Sequence, residues 1–199
     1  MLHDLFAVKV LVKDFSFSDE WNIDMENTVR AIFQNYMGVT NNPYTEISDN
    51  EIPLFTKENI ESFPSLQDLR NIFVDGFYEL ANSYENNHLT KNQIEQKVYE
   101  NIGKLPFVKS GESKSLHNHT KASAFAVFYL SEIDNDKDGG TLILRDPAFH
   151  SNYGFHPTST FNVNTKKNRL VVVPAYVWHE VSSYVGKDER IAVVMNLDL

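Results

Sequence analysis

Two histidines, His117 and His119, lie two residues apart in the stretch LHNHTKASAFAVFYL, residues 116–130. β-Branched and aromatic residues surround them, which predicts a strand, and in a strand residues i and i+2 leave on one face. Two imidazoles on one face form a metal chelate, although the same spacing also suits a plain polar strand entry. A third histidine, His179, stands in the C-terminal stretch LVVVPAYVWHEV, and Arg190 opens another apolar run eleven residues later. Imidazole is the commonest protein ligand for metals such as iron and zinc. A guanidinium offers a fixed fork that matches a carboxylate. Together these residue types point to a metal with a carboxylate-bearing cosubstrate.

The full succession is His117-Asn118-His119, Phe128-Tyr129-Leu130, Gly139-Gly140-Thr141-Leu142, His179-Glu180-Val181 and Arg190. It resembles the Fe(II)- and 2-oxoglutarate-dependent oxygenases, in particular the prolyl-hydroxylase-like branch with its small phage and bacterial members. Those carry His-x-Asp/Glu, an aromatic strand ending Tyr-Leu, a Gly-Gly turn, a distal His and then an Arg or Lys. The resemblance implies Fe(II) as cofactor, with His117, His119 and His179 as its ligands. It implies 2-oxoglutarate as cosubstrate, its far carboxylate held by Arg190 and Tyr129, and O2 as oxidant in the hydroxylation of a small molecule or peptide. It also implies a double-stranded β-helix, the jelly roll shared with cupins.

Two positions depart from that pattern. His119 stands where the family has a carboxylate, which leaves either a three-histidine site or a two-histidine site with another group as third ligand, and Ala192 stands where many relatives have Ser or Thr two residues after the arginine. Three neutral imidazoles would leave a ferrous site one charge more positive, so that anions bind it better. Two other readings therefore stay open: a three-histidine cupin-type metalloenzyme that does not use 2-oxoglutarate, and a catalytically inactive phage-type jelly-roll module. Arg190 favours the oxygenase over both.

Composition narrows the field further. The net charge of −9, from 27 acidic and 18 basic residues mixed along the chain, disfavours sequence-independent nucleic-acid binding. The lack of cysteine excludes disulfides, thiolate zinc sites, iron-sulfur clusters and thiol nucleophiles, which suits a cytoplasmic enzyme. No apolar run approaches the roughly 20 residues a membrane span needs, and the N-terminal stretch does not read as a signal peptide.

The length fits one domain over residues 1–199, with a strand and supporting helices in 1–104 and a jelly-roll core in 105–199. The expected class is α+β, mainly β. Phe6 to Lys13 reads as an opening strand. Met25, Val29, Ile32, Phe33 and Tyr36 mark a helix over 24–36 that Gly38 would close, and residues 39–53 read as a long loop. A second helix starts at Ser65, with an apolar face from Leu66 to Tyr84; a third starts at Thr90 with capping-box spacing and would stop at Gly103.

Strands are expected at 105–109, 115–119, 122–131, 140–146, 160–164, 168–174, 177–183 and 190–197, the count of a double-sheet jelly roll. Asp134, Asp136, Asp138 and Gly139 match the opening of a calcium loop. Arg145 stands where that loop needs its bidentate Glu, so an acidic hairpin turn is the better reading. His3 and His88 sit in polar sequence. His150 and His156 fall in a loop beside Arg145-Asp146-Pro147, a candidate entrance lining.

Overall fold

A computed structural model describes residues 8–39, 51–85, 87–147 and 160–199. The elements run in the order β1 (Leu11–Asp14), α1 (Asp19–Val39), β2 (Glu51–Pro53), α2 (Lys57–Ser62), α3 (Ser65–Asn82) and α4 (Lys91–Glu100). There follow β3 (Lys104–Val108), β4 (Lys114–His117), β5 (Ala124–Tyr129), α5 (Asn135–Asp138), β6 (Leu142–Arg145), β7 (Thr160–Val163), β8 (Arg169–Pro174), β9 (His179–Val181) and β10 (Arg190–Leu197). All eight strands expected from Leu105 onward form. With β1 and β2 they pair antiparallel in two sheets, ordered β1-β8-β5-β10-β3-β2 and β4-β9-β6-β7, the two-sheet jelly roll.

The larger sheet is covered on both faces, which is why β5 (AFAVFY) and β8 (RLVVVP) read as nearly unbroken apolar runs instead of alternating ones. Ala126, Phe128, Leu170, Val172, Val193 and Met195 pack under the helices, while Phe125, Val127, Tyr129, Val171, Val173 and Ala192 face the smaller sheet. Helix α3 supplies Leu66, Leu69, Phe73, Phe77 and Leu80 to the first of these cores. It lies close on β8 because Gly76 has no side chain: a Cβ there would come within 2.5 Å of Leu170 Cδ2. Phe73 and Phe77 are fully buried, each contributing about 1.5–3 kcal/mol of apolar transfer.

Several expectations need correction. Helix α1 begins earlier than its apolar face, at Asp19, because Ser18 Oγ accepts from the Trp21 amide at 3.2 Å and two acidic residues occupy the first turn. It ends later, running past Gly38 to Val39. Helix α2 has no buried residue, so no apolar period announced it; Thr56 caps it, accepting from the Asn59 amide at 3.1 Å. The Thr90 and Gln93 capping box forms as expected, but α4 stops at Glu100, before Gly103. There the buried Arg70 donates to the carbonyls of Val98, Tyr99 and Asn101, satisfying acceptors that the helix end leaves open.

The opening strand pairs only from Leu11, with Phe6 and Ala7 outside the described residues. Of the long loop, residues 40–50 lie outside the described residues and 51–53 form edge strand β2 on β3, where Pro53 ends the edge. The acidic stretch is one helical turn, α5, not a bare hairpin turn, and Gly139 and Gly140 follow it at φ 71 and 70. Asp134 pairs with Lys137 at 2.7 Å. No helix among the described residues is long and apolar enough to cross a membrane.

Candidate metal centre and carboxylate pocket

The pairing of β4 with β9 sets His117 directly opposite His179. His119 lies just past β4, in a turn and not in the ladder, which corrects the expected strand through residue 119. Backbone bonds hold that turn: the His119 amide donates to the Ala175 carbonyl at 3.1 Å, and the Ala122 amide donates to the His119 carbonyl at 2.9 Å. The three rings converge. Their centroids are 4.3 Å apart for His117 and His179, 5.1 Å for His119 and His179, and 5.5 Å for His117 and His119. One ring nitrogen from each can be chosen so that all lie within 4.8 Å of one another, and among the described residues no other group of three His, Cys, Asp or Glu residues does this.

Orientation of the rings matters as much as their distance. His117 Nδ1 lies 2.7 Å from the Ser115 carbonyl, and His179 Nδ1 lies 3.1 Å from the Val177 carbonyl. A carbonyl can only accept, so in each neutral ring Nδ1 carries the proton and Nε2 presents a lone pair. Phe125, fully buried, is the platform beneath: its ring stacks on His119 at 4.4 Å and on His179 at 4.2 Å. Burial drives the His179 pKa down to about 3, with His117 and His119 adding to the fall, so this imidazole is neutral at physiological pH. Imidazole nitrogens are the donor set of Fe, Zn, Ni and Cu sites, and these three residues fit Fe(II).

Arg190 opens β10 and lies in the same pocket as the histidines, among the walls formed by Val127, Tyr129, Leu142, Val181 and Ala192. It is 3% exposed, yet among the described residues no carboxylate pairs with it. Its Nε donates to Thr165 Oγ1 at 3.1 Å, and its guanidinium lies 5.0 Å from the centre of the Tyr129 ring. Burial disfavours the Arg190 charge and raises the Tyr129 phenol, so Tyr129 stays protonated. Among the described residues its buried Oη has no partner in hydrogen-bonding geometry, although Arg190 and Thr165 lie close by. A buried cation without an anion and a buried hydroxyl without an acceptor are both costly, and one carboxylate would relieve both.

Sequence reasoning brought His117, His119, His179, Tyr129 and Arg190 to one pocket, and the structure gathers all five. It missed Phe125, which looked like one more core aromatic, and Thr165, which stands alone in the turn between β7 and β8. The Gly-Gly turn now has a physical role. A Cβ on Gly140 would stand 3.1 Å from Arg190 Cδ, and one on Gly139 would meet the Ser183 carbonyl at 2.1 Å. Arg145 pairs with Glu180 across β6 and β9, bracing the strand that carries His179. His88 is exposed, and His3, His150 and His156 lie outside the described residues.

Residues 106–196 match the family described as "Putative 2OG-Fe(II) oxygenase". No curated protein matches the chain by sequence. Among solved structures, a prolyl hydroxylase from Trichoplax adhaerens, in complex with a hypoxia inducible factor peptide fragment, is similar over 95% of this chain and 83% of its own, with TM-score 0.63 and 14% identity. A prolyl-4-hydroxylase from Pseudomonas putida is similar over 96% of this chain and 94% of its own, with TM-score 0.52 and 15% identity. HygX from Streptomyces hygroscopicus, with nickel and 2-oxoglutarate bound, covers 94% of this chain and 81% of its own, with TM-score 0.59 and 11% identity. At such identities the likeness shows the fold.

Proposed function

We propose that this chain is an Fe(II)- and 2-oxoglutarate-dependent hydroxylase, a reading that the match of residues 106–196 to that oxygenase family supports. His117, His119 and His179 hold the iron, and Arg190 with Tyr129 holds the far carboxylate of 2-oxoglutarate. The observation that carries this reading is the buried Arg190, which no carboxylate pairs among the described residues, in the pocket that the histidines line. A metal-only cupin site or an inert jelly roll has no use for such a charge, whose burial costs several kcal/mol unless it is compensated, by about the usual scale for ions.

When bound, ferrous iron and 2-oxoglutarate supply the oxidising chemistry, O2 activation coupled to decarboxylation. The protein's own residues do four things. His117 and His179 keep Nε2 unprotonated by committing Nδ1 to backbone carbonyls. Phe125 fixes the planes of His119 and His179. Arg190 and Tyr129 aim one cation and one O–H at the same carboxylate position, a charge-assisted arrangement. Val127, Leu142, Val181 and Ala192 wall the pocket with apolar surface, which strengthens that attraction by excluding water.

The absent carboxylate ligand at His119 makes the centre one charge more positive and favours the anionic cosubstrate. The substrate is a small molecule or a peptide, and a cysteine-free chain suits the cytoplasm. The test is to incubate iron-loaded protein with 2-oxoglutarate in air and measure succinate. Succinate formation that needs both iron and 2-oxoglutarate is the expected result; its absence with candidate small-molecule and peptide substrates present would overturn the reading.

A further inference from the structure

We propose that Thr165 is the positioning residue for Arg190 and that it restricts the guanidinium to end-on capture of a carboxylate. The inference rests on the reading that Arg190 holds the far carboxylate of 2-oxoglutarate. Thr165 is 2% exposed and lies in the turn between β7 and β8, away from both the histidine strands and β10 in sequence. Its Oγ1 accepts the Nε–H of Arg190 at 3.1 Å and donates to the Gly140 carbonyl at 3.2 Å. A hydroxyl has a single hydrogen, and a carbonyl can only accept, so that hydrogen belongs to Gly140 and a lone pair faces Nε.

A guanidinium can grip a carboxylate side-on, through Nε and one Nη, or end-on, through both Nη groups. With Nε–H held by Thr165, the end-on mode is the one left. The other degrees of freedom are closed as well. Gly140 packs on the side-chain stem, where even a methyl group would stand 3.1 Å from Cδ, and the guanidinium carbon lies over the Tyr129 ring, 5.0 Å from its centre. Stem, guanidinium carbon and Nε edge thus each meet a different part of the chain. Ala192, apolar and 1% exposed on the neighbouring register of β10, contributes no hydrogen bond to this arrangement, so Thr165 provides the side-chain hydroxyl from another part of the chain.

The test compares Thr165→Val and Thr165→Ser with the parent protein. Two ligands are titrated into the Fe(II)-loaded protein without oxygen: 2-oxoglutarate, and 2-oxobutyrate, which lacks the far carboxylate. Thr165→Val keeps the shape and removes the acceptor of a buried Nε–H, so 2-oxoglutarate affinity should fall roughly tenfold. Thr165→Ser should recover most of it. Affinities for 2-oxobutyrate and for iron should be the same in all three proteins, which a general structural defect would not spare.

Equal 2-oxoglutarate affinity in Thr165→Val, no recovery in Thr165→Ser, or an equal loss for both acids would overturn the proposal. Should Thr165→Val not fold, Thr165→Ala carries the same comparison with the same outcomes. Arg190→Ala separates the two levels. If it leaves 2-oxoglutarate binding untouched, the underlying reading fails; if it weakens binding while Thr165→Val does not, the role of Thr165 alone fails.

Discussion

Replacing Arg190 with Met tests the carboxylate pocket through stability. Arg190 is 3% exposed and pairs with no carboxylate among the described residues, so Met removes an uncompensated buried charge and refills much of its volume. Ligand-free stability should therefore hold or rise, as it does when buried ions give way to apolar residues of similar size. The response to 2-oxoglutarate should collapse. Removing one partner of a buried charge pair typically costs about 2–5 kcal/mol, at least a roughly thirtyfold loss of affinity.

In the parent protein, 2-oxoglutarate at about a hundred times its Kd stabilises the fold by about 2.7 kcal/mol. For a chain of this size that raises Tm by about 5–11 °C, at about 2–4 °C per kcal/mol. At the same concentration, a thirtyfold weaker site is only about threefold above its Kd and contributes about 0.9 kcal/mol, a shift of about 2–4 °C. The assay is thermal melting of Fe(II)-saturated protein without oxygen, with and without 2-oxoglutarate. If Arg190→Met keeps the full shift of the parent, the buried guanidinium is not the carboxylate anchor and the reasoning from its missing partner is wrong.

Two further outcomes follow from the same geometry. His119→Asp restores an anionic ligand at the position beside Phe125 and should retain iron, with succinate formation kept or raised; loss of iron, measured as metal per chain, would show a cavity built for imidazole. Asp14 is held well below the usual carboxylate range by Arg169 Nε at 2.7 Å and Lys166 Nζ at 2.8 Å, a pairing that ties β1 to β8. A carboxylate depressed in the folded state stabilises above its unfolded pKa, near 3.9, and that stability is lost as pH falls below it. Because the carboxylate is 38% exposed, screening limits the effect: Asp14→Asn should cost at most about 1 kcal/mol at neutral pH. The two melting curves should converge in acid or high salt; a constant gap at every pH would contradict the pairing.

The β half of the fold was legible because its strands are long runs of β-branched and aromatic residues broken by turn residues, and each expected strand from 105 onward has a counterpart. The misses have physical causes. Strand β2 is three residues long and ends in proline, and α2 buries nothing, so neither carries a hydrophobic period. Gly103 and Gly38 look like helix stops, but α4 ends earlier, where Arg70 collects its last carbonyls, and α1 runs past its glycine.

At the site, the histidines and Arg190 could be found because their chemistry is rare and their order familiar. Thr165 and Phe125 could not. A threonine in a turn and a phenylalanine in a strand are common, and only the fold shows that one holds Arg190 Nε and the other stacks under two imidazoles. His119 was expected on the strand face of His117, but it reaches the same cluster from a turn held by the Ala175 carbonyl.

The most direct test of the central claim is to add 2-oxoglutarate to the ferrous protein without oxygen and record the visible spectrum. Chelation of iron by the 2-oxo acid, in a pocket that also holds its far carboxylate, should produce a visible charge-transfer band. The band should saturate at lower 2-oxoglutarate concentration in the parent than in Arg190→Ala. A colourless mixture, or a titration that Arg190→Ala leaves unchanged, would contradict the assignment of histidines and arginine to one site.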